Sequence, residues 1–330
     1  MDMELLLERA RIIRQARSFF DAKKYLELDT PLLSPDLIPE SCLEVFETKR
    51  ITPDGKSIPY WLIPSPEIWM KKIIAEHRVN VYQICKCFRN GESEGFLHSP
   101  EFTMLEYYTM NADYKDSLAL TEELFGFLSG GADSSPLGVP FERVTVAEAF
   151  ARYAGFDLFA AAETADALEK EARRLGLDPA HCAGKSVAAL YDMIFIHAVE
   201  PKLKQNRPVA LLDYPAFVPT LARKSAGGHA GGKTVERWEL YFNGIELANC
   251  YSEETDPRRV REFFESEAAA KERQALVKHR VDHDYWKIFE ESSGFPACSG
   301  VALGLDRLIM ALCGRSSIDG VLPFPKYPQT

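Results

Sequence analysis

The 330-residue chain has few of the features that mark membrane, secreted or nucleic-acid-binding proteins. It contains no run of eighteen apolar residues, so we expect no membrane-spanning helix. The charged start MDMELLLERARIIRQ lacks the apolar run and cleavage site of a signal peptide. The seven cysteines are an odd number without a C-x-x-C pair, which argues against a disulfide framework and against a zinc site. We therefore expect buried, reduced thiols in a cytoplasmic protein.

An excess of basic residues is also missing. The net charge is −10 and the pI is about 5.3, so the strongly basic footprint of a nucleic-acid-binding protein is absent, although a local basic face stays open. Internal repeats are absent as well. With 46% hydrophobic and 27% charged residues, the chain has the composition of a globular protein with ample material for a core.

Apolar spacing and turn signals predict an α+β fold with an antiparallel sheet flanked by helices. Strands are predicted at residues 60–63, 79–88, 101–108, 209–214, 237–242 and 245–248. Helices are predicted near residues 5–20, from a Ser65 cap and Pro66 to about residue 76, and at residues 160–175, 187–199 and 258–279. We interpret residues 1–330 as one catalytic domain with a mostly helical insertion at about 142–206.

A glycine-rich stretch at residues 227–234 satisfies the pattern G-x-x-x-x-G-K-[ST] of a phosphate-binding loop. Such a loop must open a helix, whose N-terminus then holds the phosphates. Residues 235–242 instead alternate like a strand and run into a turn. We therefore reject the phosphate-loop interpretation and expect a disordered or ligand-ordered loop at the active site.

The predicted strand at residues 101–108 places an unusual set of side chains on one face. Alternation puts Phe102, Met104, Glu106 and Tyr108 together. Arg89, at the end of the preceding strand, could hold a carboxylate or a phosphate with two hydrogen bonds. The alternative is structural: Glu106 would pair with a buried arginine.

A second constellation surrounds the dipeptide Asn243-Gly244, a strong signal for a two-residue hairpin turn. A regular hairpin places Glu239 opposite Ala248, and Glu239 and Glu246 become diagonal neighbours about 7 Å apart on one face. Two such carboxylates suit Mg²⁺ together with substrate phosphates. The alternative is a pair of solvent-facing glutamates.

The third constellation is the run SGVALGLDR at residues 299–307. Small residues in a strand allow a ligand to approach closely, and Arg307 follows near a helix N-terminus. Tight packing alone would also explain the glycines.

Three segments of the chain resemble the signature motifs of the class II aminoacyl-tRNA synthetases. FFDAKKYLELDTPLLS resembles the first motif, CFRNGESEGFLHSPEFTMLEYY the second and GVALGLDR the third. The segments IPSPEIWMKK, ADYKD and NGIELANCYSEETD are similar to the lysyl-tRNA synthetase catalytic domain, and the likeness covers essentially the whole chain. The N-terminal OB-fold that reads the anticodon is not expected here, since the first motif begins near residue 18. This arrangement resembles the stand-alone branch of β-lysine ligases that modify elongation factor P.

The resemblance implies roles for individual residues. ATP is expected to contact Arg89, Asn90, Gly91, Glu92, His98, Ser99, Phe102, Glu239, Leu240, Gly304 and Arg307. The amino-acid substrate is expected at Ser65, Pro66, Glu67, Glu106, Tyr108, Glu246, Asn249, Glu253 and Ala302. Glu239 and Glu246 would bind Mg²⁺, while Arg89 and Arg307 would be catalytic.

Two positions depart from lysyl-tRNA synthetases. Gly91 is inserted before Glu92, so the loop is one residue longer and the adenine-side role of Glu92 stays open. Ala302 stands where lysyl-tRNA synthetases carry glycine and the β-lysine ligases carry alanine. A methyl group at the pocket floor can separate substrates by about 1–3 kcal/mol.

The resemblance therefore predicts ATP-dependent activation of (R)-β-lysine and its transfer to elongation factor P. One rival is a stand-alone enzyme that charges tRNA with α-lysine, which Ala302 and the acidic balance disfavour. A non-catalytic paralogue would not need the metal carboxylates, and an asparagine-synthetase-like enzyme does not fit a carboxylate-rich pocket. By resemblance alone we expect a homodimer, which light scattering would test.

Overall fold

The computed structural model describes residues 2–92, 95–130, 137–204, 207–226, 232–290 and 294–324. Its α-helices are α1 (Met3–Ala22), α2 (Glu67–His77), α3 (Tyr114–Leu128), α4 (Val146–Ala149), α5 (Leu158–Ala161), α6 (Ala165–Arg174), α7 (Pro179–Cys182), α8 (Val187–Ile194), α9 (Pro257–Gln274) and α10 (Leu305–Leu312). Its strands are β1 (Leu26–Glu27), β2 (Leu33–Ser34), β3 (Glu47–Ile51), β4 (Ser57–Leu62), β5 (Val81–Phe88), β6 (Glu101–Met110), β7 (Glu142–Thr145), β8 (Val209–Pro215), β9 (Thr234–Phe242), β10 (Ile245–Ser252) and β11 (Cys298–Gly304).

The main sheet is mostly antiparallel, as the predicted α+β class requires. Within the described residues it has eight strands in the order β1-β5-β6-β11-β10-β9-β8-β7. The two outermost pairs, β1 with β5 and β7 with β8, are parallel, and the other neighbours are antiparallel. A small second sheet has the order β2-β4-β3. The predicted hairpins β5–β6 and β9–β10 are confirmed.

Strand alternation divides the core between the two faces of the sheet. Along β8, Ala210 and Leu212 pack into the larger cluster with α1, α3 and α10. Val209 and Leu211 point the other way, into a second cluster with the helices that precede β8. Since successive side chains of a strand alternate between faces, both faces are covered here.

The segment predicted as a helical insertion differs from the prediction in three ways. It begins with a strand, β7, that pairs in parallel with β8. The predicted helix at residues 160–175 is two helices: α5 ends at Ala161, and Thr164 caps α6 by accepting from Ala167 N at 3.1 Å. The predicted helix at residues 187–199 is α8 followed by a π-helical turn, Phe195–Val199.

Smaller boundary predictions also need correction. Ser65 does not cap α2, because the flanking residue is Pro66 and no side chain caps the helix. Helix α9 ends at Gln274 rather than near residue 279. Strand β9 begins at Thr234, so a strand and not a helix follows the glycine-rich segment, as predicted. Residues 227–231, predicted as a loop at the active site, lie outside the described residues.

The expectation of buried thiols holds for some of the cysteines. All seven cysteines are free thiols, and four of them are buried, whereas Cys42 is exposed and Cys85 and Cys313 are intermediate. Among the described residues, no helix combines the length and the apolar character that crossing a membrane would require.

Candidate active site

Two adjoining cavities lie over β6, β9, β10 and β11. The first cavity, of about 360 Å³, contains Arg89, His98, Phe102, Glu246 and Arg307. The second, of about 540 Å³, is rich in carboxylates. Seven described residues line both cavities and form what we call the shared boundary: Glu40, Cys42, Arg89, Met104, Arg237, Asn249 and Ala302.

The predicted face of β6 lies along both cavities. Phe102 lines the first cavity, Met104 lines both, and Glu106 and Tyr108 line the second. The Arg89 guanidinium lies 5.2 Å from the centre of the Phe102 ring, a cation–π distance. An aromatic ring and a guanidinium thus flank the first cavity, an arrangement that suits a planar base and an anion.

The loop after Arg89 begins with a turn that the inserted residue makes possible. Gly91 has a φ of +67°, in the left-handed region that favours glycine. The Asn90 amide donates to the Glu44 carbonyl at 2.9 Å, which ties the loop to the segment before β3. Glu92 lines the first cavity and lies 3.8 Å from Arg89 Nη1. Asn90 and Gly91 line only a smaller neighbouring pocket, together with His98 and Ser99.

The β9–β10 hairpin is confirmed, but its predicted register is wrong beyond the turn. A register shift between Glu246 and Ala248 places Asn249, and not Ala248, opposite Glu239. The irregularity turns Leu247 and Ala248 into the core and brings Asn249 onto the face of the cavities. Arg237 Nε then donates to Asn249 Oδ1 at 3.1 Å.

The two predicted metal carboxylates differ in the number of hydrogen bonds and ion pairs that their oxygens already make. Glu239 accepts hydrogen bonds from the Tyr214 and Tyr241 hydroxyls, both at 2.6 Å, and pairs with Arg237 at 2.5 Å. No hydrogen bond or ion pair of the described residues involves the Glu246 carboxylate. Burial and the neighbouring Glu239 raise the pKa of Glu246 to about 7. A divalent cation beside Glu246 would relieve this repulsion, so the donor set fits Mg²⁺.

The phosphate-binding candidates stand at the start of α10. Arg307 Nη1 donates to the Glu246 carbonyl at 2.9 Å and Nε to the Leu97 carbonyl at 3.2 Å. Burial and the positive charges of Arg307 and Arg89 lower the pKa of His98, which favours its neutral form. Neutral His98 can therefore donate one hydrogen bond to a phosphate oxygen without adding charge.

A buried network that the sequence did not reveal supports these groups. Asp306 lies 2.6 Å from Arg9 Nη2 of α1 and accepts from the Thr103 amide at 2.7 Å. Arg9 also donates to the Thr103 hydroxyl at 2.9 Å. The network fixes the residues next to Arg307 and Phe102 on two different elements.

The second cavity contains a lysine that the sequence analysis missed. Lys71 is completely buried, and its Nζ lies 2.6 Å from Glu67 and 2.7 Å from Glu253. Burial lowers the Lys71 pKa, but the charges of Glu253 and Glu67 outweigh that effect and raise it well above its ordinary value. Two carboxylates predicted to bind substrate ammonium groups therefore already share a cation. Spacing could have revealed the Glu67–Lys71 pair, because residues four apart are neighbours on a helix.

Glu106 is a carboxylate of the second cavity with one open oxygen. Its Oε1 accepts from the Tyr108 hydroxyl at 2.8 Å, and Oε2 has no partner among the described residues. The buried arginine that the structural alternative required is not its partner. Burial and the nearby Glu67 raise the pKa of Glu106 well above its ordinary value, and an ammonium ligand would oppose that shift.

Strand β11 forms the floor beside Glu106. Ala302 lies directly opposite Glu106 on one side and Asn249 on the other. At Gly300 a side chain would meet the Tyr108 ring at 2.5 Å, so only glycine fits there. At Gly300 the space is filled by the protein's own Tyr108 ring, which agrees with the packing alternative, and the close approach of a ligand to this strand stays a prediction.

Besides Asn90 and Gly91, two further predicted residues do not line either cavity within the described residues. Leu240 is fully buried in the larger core, because it lies on the face of β9 opposite Glu239. Pro66 lines neither cavity within the described residues. Ser65, Glu67, Glu106, Tyr108 and Glu253 line the second cavity, as predicted, and Gly304 the first.

Comparison with known families agrees with the fold. A family model described as tRNA synthetases class II (D, K and N) matches residues 2–328. The chain therefore belongs to the class II tRNA synthetases.

Within that class, curated relatives similar to this chain include proteins named elongation factor P--(R)-beta-lysine ligase. The protein of that name from Avibacterium paragallinarum is 36% identical over 323 residues, which cover 98% of this chain and 95% of the relative. Those from Mannheimia succiniciproducens and Vibrio atlanticus are each 34% identical, over 98% of this chain and 95% and 96% of their own lengths.

Proposed function

We propose that the chain is a ligase that activates (R)-β-lysine with ATP and transfers it to a lysine side chain of elongation factor P. The names of the relatives support this substrate and this acceptor. The observation that carries the chemistry is the shared boundary, where Arg89 faces a cavity suited to a nucleotide and a cavity suited to a cationic amino acid.

In the first step, a carboxylate oxygen of β-lysine attacks the α-phosphorus of ATP. The bond from that phosphorus to the bridging oxygen breaks, and pyrophosphate leaves. Arg89 can contact the reacting carboxylate and the phosphate because it lines both cavities, and Arg307 lies at the phosphate side. Positioning and electrostatic stabilisation account for the rate enhancement, and no covalent enzyme intermediate forms.

Glu246, with Glu239 behind it, is the expected site for Mg²⁺. A bound Mg²⁺ would neutralise part of the phosphate charge. Glu246 would contribute the open oxygens, because three donors already occupy Glu239.

In the second step, the neutral ε-amine of an acceptor lysine attacks the acyl carbon of the adenylate. The carbon–oxygen bond to AMP breaks, an amide forms and the extra proton of the nitrogen is released. The net charge of −10 agrees with an acceptor that is a protein rather than a nucleic acid.

ATP–pyrophosphate exchange with (R)-β-lysine and with L-α-lysine at matched concentrations tests this function. We expect exchange to be much faster with β-lysine, and the mass of elongation factor P to increase by one β-lysyl group. Preference for α-lysine together with charging of tRNA would favour the tRNA-charging enzyme instead. Exchange with neither amino acid would reject the ligase assignment.

Replacing Ala302 by glycine is expected to weaken discrimination between the two lysines. The Ala302 methyl group lies at the shared boundary, directly between Glu106 and Asn249 on the adjoining strands. One methyl group corresponds to about 1–3 kcal/mol, so the ratio of kcat/KM values should move roughly tenfold or more toward α-lysine. Exchange kinetics with both amino acids measure the ratio. An unchanged ratio in a variant with an unchanged melting temperature would remove Ala302 from substrate selection.

A further inference from the structure

The substrate must cross the shared boundary for the proposed reaction to occur. Its carboxylate has to reach the α-phosphate in the first cavity, while its cationic tail occupies the second. An amine on the α or β carbon is only two or three bonds from the carboxylate carbon. That ammonium therefore also lies at the shared boundary, whichever carbon carries it.

Among the described residues of the shared boundary, Glu40 is the single carboxylate. Arg89 and Arg237 at the same boundary are cations and would repel an ammonium. Glu40 was not singled out by the sequence, because it lies in an irregular segment between β2 and β3 that has no periodicity to interpret.

The other carboxylates of the second cavity either pair with other groups or lie away from the shared boundary. Glu67 and Glu253 hold Lys71, as described above. Glu106 accepts from Tyr108 and faces the distal tail of a substrate whose carboxylate contacts Arg89. Asp192 and Glu267 line only the second cavity, away from the boundary.

The backbone around Glu40 is held firmly, so its carboxylate is presented in a fixed place. Lys271 of α9 donates to the carbonyls of Glu40, at 3.1 Å, and of Leu43. The Ser41 amide donates to Glu267 at 2.8 Å. No hydrogen bond or ion pair of the described residues involves the Glu40 carboxylate itself.

The charges around Glu40 leave it ready for a cation. Burial and the negative charge of Glu67 raise the pKa of Glu40 to about 7, against the opposing charges of Arg89, Lys271 and Lys71. An ammonium group in contact with the carboxylate would lower that pKa again. The shared boundary thus offers a partly buried carboxyl group with no internal partner among the described residues.

We propose that Glu40 pairs with the substrate ammonium nearest to the reacting carboxylate, and so is a specificity-determining residue for the presence of that amine. This role rests on the proposed function, and it adds a residue that distinguishes β-lysine from molecules without an amine near the carboxylate.

The test compares diamino and monoamino ligands in the wild-type protein and in Glu40→Gln. Glutamine keeps the shape and removes the charge. A charge-assisted hydrogen bond is lost, so the Kd for (R)-β-lysine by calorimetry should rise about 10- to 100-fold. 6-Aminohexanoate has the same carboxylate and terminal amine but no proximal amine. Its Kd should be the same for both proteins.

Matched variants separate this role from its alternatives. Glu47→Gln, exposed on β3 outside both cavities, should bind both ligands like the wild type. Equal affinity of wild type and Glu40→Gln for β-lysine would overturn the proposal. An equal loss of affinity for 6-aminohexanoate in Glu40→Gln would also overturn it. So would a loss of affinity for β-lysine alone in Asp192→Asn but not in Glu40→Gln. Because calorimetry needs no nucleotide, this result is independent of the exchange assay: a wild type without exchange would reject the ligase function alone.

Discussion

Replacing Lys71 by methionine is expected to lower the free energy of unfolding by about 3–5 kcal/mol. Lys71 is completely buried between Glu67 and Glu253, and Glu253 is itself only 2% exposed. Removing the ammonium leaves at least one carboxylate buried without a counter-charge. Urea unfolding followed by circular dichroism measures the change.

The pH dependence of this loss follows from Glu253. Burial raises the pKa of Glu253 from 4.5 to about 7, although Lys71 opposes the shift. A carboxyl group whose pKa is higher in the folded state stabilises the fold at pH values below its unfolded pKa of 4.5. This stabilisation is lost as the pH rises through the pKa of the folded state. Without Lys71 the folded pKa rises further, so the loss extends to higher pH. The difference between wild type and variant should therefore be small near pH 5 and should grow toward pH 8.

Two further variants control this result. Lys72→Met removes a lysine that is 36% exposed and paired with Asp282, and should cost no more than about 1 kcal/mol. Adding Glu253→Gln to Lys71→Met removes the uncompensated charge and should restore part of the stability. If Lys71→Met were as stable as Lys72→Met at pH 8, the buried ion pair would not matter for the fold.

Replacing Arg89 by alanine is expected to reduce the rate of ATP–pyrophosphate exchange by about 10²–10³-fold. Arg89 is the cation that lines both cavities from the β5–β6 hairpin, beside the Phe102 ring. Its loss removes a positive group from the place where charge develops on the transferring phosphate. The side chain is 30% exposed, so the melting temperature should change little.

Lysine at position 89 should give an intermediate rate, because it keeps the charge but cannot donate two parallel hydrogen bonds. Lys86→Ala is the matched control: it removes a cation from β5 whose partner is Glu101, outside both cavities. A rate in Arg89→Ala within a few-fold of the Lys86→Ala rate would rule out a catalytic role for Arg89.

Much of the site followed from period-two alternation and turn chemistry. The shared face of Phe102, Met104, Glu106 and Tyr108 required only a strand, because side chains alternate along any strand. The Asn243-Gly244 turn was also secure, since both residues adopt positive φ, of 51° and 77°. The irregularity at Leu247 was not predictable, because a bulge depends on packing against neighbouring strands.

Contacts between segments far apart in the chain could not be predicted from the sequence. Arg9 and Asp306 are almost 300 positions apart, and no local pattern links α1 to α10. Glu40 lies in an irregular segment whose place is set by Lys271. The resemblance assigned Glu67 and Glu253 to the substrate, but the buried Lys71 that pairs with both depends on the tertiary fold, which brings α2 to Glu253 at the end of β10.

Two tyrosines connect the helical layer to the chemistry. Tyr214 and Tyr241 belong to the second core cluster, and their hydroxyls are also the donors to Glu239. Local unfolding of residues 146–203 would expose these rings and release their hydrogen bonds to Glu239, which we propose as a metal carboxylate. By thermodynamic linkage, any ligand that favours the ordered Glu239 must suppress such opening to the same extent. Residues 146–203 do not line the first cavity, but their amide hydrogen exchange should become slower when a ligand binds in that cavity.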